Sequence, residues 1–390
     1  MKIRCVLRPS CLILRFLAPL FLRFVFLLSP CFAISPFRRF ARPSPWLLTF
    51  GLLPLVAACS PTYVLRAGYE EAKILWNRRP IVEVLNQPDL DAATREKLEL
   101  VLQVRQFTEK DLGFRVGGSY SSITELANPP IVYVVTAAPR TQLEPYTWWF
   151  PIIGRVAYKG YFSPDDAKQE AQRLEAQGYD TFVRTASAFS TLGWFSDPLL
   201  PHLLKYDLET LANIVIHELF HTTFYLNGQS AFNESLANFA GHRGVIAFFI
   251  KEQGAKAAAV QQAQATWESE LAISNFLNAA AERLRTLYAS PLSEEEKLQQ
   301  RGQLFTQVQA EFRKLPRQVR RGADLASLKL NNAVILQYLV YLQDLATFER
   351  IYQQNGADLR KTLTEIERVA EQGDDPFVEV RKMVARSSGL

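Results

Sequence analysis

The stretch LETLANIVIHELFHTTFYL, residues 208–226, has the least freedom of any part of this chain. Its apolar side chains recur at helical spacing, Asp207 precedes it as an N-cap, and Asn227-Gly228 follows as a stop. It predicts a helix that is apolar on nearly every side and must lie in a core. Yet His217, Glu218 and His221 sit inside it, spelling H-E-x-x-H. Polar rings in such a place need partners. Two histidines one turn apart leave the same helix face and can ligate one ion, with the intervening glutamate beside it. A single buried histidine is more often a hydrogen-bonded core residue. A pair so spaced, in a chain with 4 histidines in all, points to metal.

A catalytic zinc takes three protein ligands and keeps a fourth position open. After the Asn227-Gly228 turn, SAFNESLANF restarts with Ser230 as the expected cap and Glu234 in the first turns of a second helix. Folded back on the first, that helix offers Glu234 as the third ligand; an early-helix glutamate also complements the helix dipole. Asn233 and Asn238 are expected to orient Glu234 or accept a hydrogen bond from a ligand histidine. His242 and Arg243, two turns on, either steady an oxyanion or a substrate carboxylate, or form a solvated polar face. His202 reads as surface. The chemistry expected is amide hydrolysis with one Zn²⁺ per chain. Glu218 serves first as base towards an activated water, then as acid towards the leaving amine. The motif does not identify the second oxyanion donor that such chemistry needs.

The cysteines leave no competing ligand set. Cys5, Cys11, Cys31 and Cys59 all lie in or at the end of an apolar leader. Residues 1–58 hold eight basic side chains and no acidic one; beyond them 36 basic residues face 39 acidic ones, so no nucleic-acid partner is expected. Arg38, Arg39 and Arg42 precede WLLTFGLLPLVAAC, an apolar run too short to span a bilayer comfortably. Val56-Ala57-Ala58-Cys59 has the form of a bacterial lipobox, which predicts lipidation of Cys59; a membrane anchor that happens to contain a cysteine is the alternative. Ser60 then favours the outer membrane, with the body facing the periplasm.

The expected fold class is α+β, zincin-like: a small mixed β-sheet plus the active-site helix, followed by a mainly helical C-terminal half. The expected divisions are the leader (1–58), an N-terminal helical segment (59–127), an α/β sheet region (128–206) and a helical region with the metal site (207–390). YEEAKILWNRRPIVEVL and DAATREKLELVLQVRQFTEKDLG show helical spacing; PPIVYVVTAAP reads as a strand, and TWWFPIIGRVAYKGYF as two strands around Gly154. SPDDAKQEAQRLEAQGY is a helix between Ser163 and Gly178. Leu271–Leu315 and Leu328–Ile351 read as helical hairpins.

The stretches RRPIVEVL, TWWFPIIGRVAYKGYF, STLGWFSDP, HELFH, FNESLANF, LYASPLS and NNAVILQYLVY, in that order, resemble the bacterial putative aminopeptidase family, predicted lipoproteins with a zincin-type site. The resemblance runs from about Cys59 into the C-terminal region. It implies zinc on His217, His221 and Glu234, Glu218 as catalytic base, and a peptide substrate. It also implies that STLGWF is an edge strand receiving extended substrate, Gly193 permitting close approach, unless the segment is a turn beside Trp194. Asn331, Asn332 and Tyr341 match the family pattern. Tyr341 and Tyr288 are candidates for the missing oxyanion donor, against the simpler role of packing two helices. Thr222 and AGHRG depart from the family and bear on substrate preference. The functional expectation is a lipid-anchored zinc aminopeptidase. The alternatives are an envelope scaffold with a structural metal and a hydrolase of non-peptide amides or esters.

Overall fold

Pro80 decides how the first segment folds. It lacks an amide hydrogen and pushes the residue before it towards extended backbone, so YEEAKILWNRRPIVEVL is not one continuous helix. In the computed structural model, which describes residues 69, 72–125, 132–150, 154–185, 196–320 and 325–387, Arg78–Pro80 forms strand β1. The short helix α1, Ile81–Leu85, follows it. Helix α2, Ala92–Phe107, is capped by Asp91, which accepts from the Thr94 amide, and buries Leu98, Val101 and Val104. A π-helical turn, Thr108–Leu112, carries it on to Gly113 at φ 78°. Strand β2, Ser122–Thr124, then pairs antiparallel with β1. The expected helical segment thus contains a two-stranded sheet.

The central sheet has three strands. Strand β3, Tyr133–Pro139, lies between β6, Tyr158–Tyr161, and β7, Tyr179–Thr185; β4, Trp148–Phe150, and β5, Gly154–Val156, make a separate hairpin. TWWFPIIGRVAYKGYF therefore holds three short strands instead of two. Ala157 marks the step from the hairpin to the β3 ladder. Among the described residues the paired strands are antiparallel, and the parallel contact is an isolated bridge from Ile123 to Leu199. Helix α3, Pro164–Ala176, is capped by Ser163 and covers one sheet face with Ala167, Ala171 and Leu174, spaced four and three residues apart. Gly178, at φ 87°, turns the chain into β7.

The rest is helical. Helices α4 (Leu208–His221), α5 (Ser230–Gln253), α6 (Ala258–Ala289) and α7 (Glu294–Lys314) follow one another, α7 opening on a Ser293/Glu296 capping box. Next come α8 (Asn332–Leu342), α9 (Leu345–Gln354), α10 (Leu359–Ala370) and α11 (Pro376–Ser387). The expected hairpin over Leu271–Leu315 is present as α6 and α7, whereas in Leu328–Ile351 the helices α8 and α9 pack on α5 and α6 and not on each other. Helix α8 is apolar almost all round because it lies between the sheet and the pair α5/α6. Its start is pinned to the sheet. Asn331 caps it and donates to Thr181 O (3.0 Å), and Asn332 Nδ2 reaches Pro139 O (2.8 Å) and Gln142 O (3.1 Å). These contacts explain Asn331 and Asn332 as anchors of a helix. Cys59–Leu390 forms one compact unit of α+β class, with small sheets and mostly helical content. Among the described residues no helix is long and apolar enough to cross a membrane.

Candidate metal centre

Helix α4 begins as expected, Asp207 accepting from the Thr210 amide at 2.8 Å. It ends earlier than expected, at His221 instead of Asn227-Gly228. Arg115 causes this. Thr222 Oγ1 donates to Arg115 O (2.6 Å), and the Arg115 amide donates to Thr223 Oγ1 (2.9 Å), drawing the chain off its helical path. Gly228, at φ 77°, then turns the loop towards α5. Ser230 is not the cap of α5: Gln229 holds that position, and no side chain caps the helix. Asn233 clamps the loop instead, accepting from the Leu226 amide (2.9 Å) and donating to Leu226 O (2.8 Å).

This loop folds α5 back on α4 and brings three donor atoms together. His217 Nε2 lies 3.2 Å from Glu234 Oε2 and 3.2 Å from His221 Nε2; His221 Nε2 lies 3.4 Å from Glu234 Oε2. Donors about 2.0–2.1 Å from a tetrahedral ion stand roughly 3.3 Å apart. The triangle is therefore one face of such a tetrahedron, and two imidazoles with one carboxylate suit a first-row divalent ion. His221 Nδ1 is buried and finds no partner among the described residues, so that ring's polar contacts lie at Nε2.

Electrostatics separate the two glutamates. For Glu234, burial works upwards, but the charge of His221 and the hydrogen bonds of His217 and His221 hold it well below the usual carboxylate range. For His221, burial works downwards and the charge of Glu234 prevails, raising it. Glu218 is raised, chiefly by burial, with the charges of Glu234 and Asp197 adding to it against the two histidines. One carboxylate thus stays ionised as a ligand, while its neighbour gains proton affinity.

A wall of phenols covers the triangle. Tyr158 Oη donates to Glu234 Oε1 at 3.4 Å. The Tyr341 ring lies 6.2 Å from that of His217, and its hydroxyl accepts from Arg184 Nη2 at 3.1 Å. With its amide turned to satisfy both neighbours, Gln337 donates to Thr136 Oγ1 (2.6 Å) and accepts from Arg184 Nε (2.9 Å). Burial, then the charge of Glu234, pushes both Tyr158 and Tyr341 above the ordinary phenol range, so both keep their protons. Tyr225 is raised by the same two causes.

Several expected residues stand elsewhere. Asn238 does not touch Glu234; it donates to Tyr341 O (3.0 Å) and Glu270 Oε1 (3.2 Å), closing the C-terminal end of α8. Tyr288 donates to Asn332 Oδ1 at 2.7 Å, nine residues before Tyr341 and so about 14 Å away along α8. It packs helices and does not reach the triangle. His242 is buried against Trp267, ring centroids 5.3 Å apart, and Arg243 pairs with Glu349 (2.8 Å) and lies over Tyr352; neither forms a solvated face. His202 is half-buried in a 3₁₀ turn, Pro201–Lys205, and is not a plain surface residue. Gly193 and Cys59 lie outside the described residues.

Reading the sequence alone passes over Tyr158, Tyr225, Arg184, Gln337 and the buried Asp197, whose charge reaches Glu218 and Tyr120. Tyr158, Asp197 and Gln337 carried a signal, as members of the stretches TWWFPIIGRVAYKGYF, STLGWFSDP and NNAVILQYLVY.

An H-E-x-x-H helix meeting a carboxylate from the next helix defines a candidate metallohydrolase of α+β build. The chain matches the family model described as "Putative aminopeptidase" over residues 62–376, and it belongs to that family. No curated protein and no solved structure matches it.

Proposed function

We propose that this chain is a lipid-anchored, zinc-dependent aminopeptidase of the bacterial envelope, with Glu218 as general base. The observation that carries the reading is the donor triangle of His217, His221 and Glu234, with edges of 3.2, 3.2 and 3.4 Å. These three residues would hold the ion. When bound, zinc supplies Lewis acidity, making a water acidic and polarising the scissile carbonyl. Glu218, its proton affinity raised by burial, takes the proton of the attacking water and returns it to the departing amine. Tyr341 suits the oxyanion. Its oxygen already accepts from Arg184, which leaves its own proton to donate. The anchor rests on the leader sequence, where Cys59 is the residue to be acylated and Ser60 favours the outer membrane, facing the periplasm.

The test is Glu218→Gln in the soluble body, read by metal analysis and by digestion of an N-terminally varied peptide library. The wild type should carry one zinc per chain and release N-terminal residues. The variant should keep the zinc and lose about 10²–10⁴ in kcat. Zinc-loaded wild type that cleaves no peptide of the library would refute the peptidase reading, and a fully active variant would remove Glu218 from the chemistry.

A further inference from the structure

The three most exposed large apolar side chains among the described residues are Trp76 (82% exposed), Tyr69 (66%) and Val82 (56%), and all lie at the start of the folded body. Single apolar residues scattered over a surface are ordinary. These are not scattered. Tyr69 and residues 72–76 are helical, and Tyr69, Lys73 and Trp76 stand four and three residues apart, on one helix face. Lys73 Nζ lies 5.9 Å from the centre of the Tyr69 ring, as a shared face requires. Ile74, on the opposite face, is 1% exposed and belongs to the core.

The support beneath this stripe is firm. Ile74 O accepts from Thr124 Oγ1 at 3.2 Å, Asn77 O accepts from the Glu125 amide at 2.9 Å, and Arg78 donates to Ser196 O at 3.2 Å. Two aromatic rings held outward on such a support forgo the gain of burial unless something covers them. Trp and Tyr, each an apolar ring with a polar tip, suit the boundary between water and hydrocarbon.

Position along the chain says what covers them, and this step rests on the lipid anchor proposed above. Ten residue steps separate Cys59 from Tyr69. A chain of that length reaches at most about 35 Å, so an acylated Cys59 keeps the stripe that close to the bilayer. The tether also makes seating on the membrane an intramolecular event, so contacts too weak for a free protein suffice. Charge adds little, because from Tyr69 to Glu83 the basic Lys73, Arg78 and Arg79 are balanced by Glu70, Glu71 and Glu83. We propose that Tyr69 and Trp76 form a seat for the phospholipid surface. The two rings enter the interface between headgroups and acyl chains and hold the body in one orientation on the membrane. Seating by rings survives high salt, unlike attachment by a basic patch.

The body from Cys59 onwards has a single thiol, so Cys59 can be coupled to a maleimide lipid in phosphatidylcholine vesicles whether or not the cell acylates it. Brominated acyl chains in those vesicles quench the tryptophans that reach them. Quenching of the wild type should be lost in Trp76→Phe, an exchange at an exposed position that leaves the core intact. It should be unchanged in about 1 M NaCl. No quenching, quenching kept in Trp76→Phe, or quenching lost in salt each overturns the proposal. So does sedimentation of the uncoupled body as a dimer that Trp76→Ser splits, which gives the face to a second copy. The mass of the Cys59 peptide from cells tests the anchor separately. An unmodified Cys59 with a quenched Trp76 removes the anchor and keeps the seat; an acylated Cys59 with an unquenched Trp76 does the reverse.

Discussion

Tyr158 and Tyr341 both stand over Glu234, but their hydroxyls are engaged differently, and this divides their work. Tyr158 spends its proton on Glu234 itself, at 3.4 Å. Tyr341 accepts a hydrogen bond from Arg184 and keeps its own proton free to donate. Tyr341→Phe should therefore lower kcat by about 10²–10³ with little change in KM or zinc affinity, as loss of an oxyanion donor does. Tyr158→Phe should instead weaken zinc binding about tenfold, because a ligand loses its supporting hydrogen bond. Steady-state kinetics at saturating zinc and competition with a chelator separate the two, and the opposite pattern would exchange their roles. Residues of the donor triangle supplied by neighbouring positions in the chain were legible in the sequence: His217 and His221 by spacing, Glu234 by its place after the turn. Tyr158 was not, because a strand 76 residues away in sequence brings it to Glu234. Asn233 and Asn238 were misread for a related reason. Asparagines bond to whatever backbone is nearest, and here that is the Leu226 loop and the Tyr341 carbonyl.

The spacing between α4 and α5 depends on two glycines. A methyl group on Gly241 would meet Asn213 Oδ1 at 2.5 Å, and one on Gly244 would meet Ile216 Cγ2 at 2.9 Å. The glycines of AGHRG are where α5 crosses the helix that carries both ligand histidines. Helical glycine ordinarily costs about 0.5–1 kcal/mol relative to alanine, so packing must repay it at Gly244. Ile216 is fully buried and β-branched, with little freedom to swing away. Gly244→Ala should thus destabilise the protein by about 1–3 kcal/mol through overpacking, and should weaken zinc binding as α5 moves off α4. Gly302→Ala is the control. It is helical and exposed with nothing within 4 Å, so it should stabilise by about 0.5–1 kcal/mol. Urea denaturation that gave both substitutions the same sign would show that the crossing is not held by close contact. The expected cap Ser230 lies inside α5, whereas the helix starts at Ser163 and Asp207 were readable here. The end of α4 was not, because its stop signal is Arg115, more than 100 residues earlier.

Taken as a whole, the unit from Cys59 onwards encloses titratable groups that reach water only on unfolding, and His242 is the plainest. The order of helices, sheet and helical half was readable from periodicity, whereas strand pairing and the neighbours of His242 depend on contacts far apart in sequence. Burial, reinforced by the charges of His217 and Arg243, pushes His242 down to about 3, and its Nδ1 finds no partner among the described residues. The unfolded chain takes up this proton below its ordinary value of 6.5, while the folded chain refuses it down to about 3. Between those values the unfolded state binds more protons, so stability must fall as the pH falls, by about 1.4 kcal/mol per pH unit. Glu367 has the opposite sign. Burial lifts it to about 7, so the folded state holds its proton where the unfolded state has lost it, and stability rises as the pH falls towards 4.5. The wild-type curve mixes the two, so the test is a difference. His242→Phe keeps a ring against Trp267 and cannot titrate. The stability of wild type minus that of His242→Phe, from urea midpoints at fixed zinc, should decline from pH 6.5 to pH 3 with that slope and be level above pH 7. A level difference across the whole range would mean that folded His242 is protonated as readily as a free histidine, and that water reaches the ring beside Trp267.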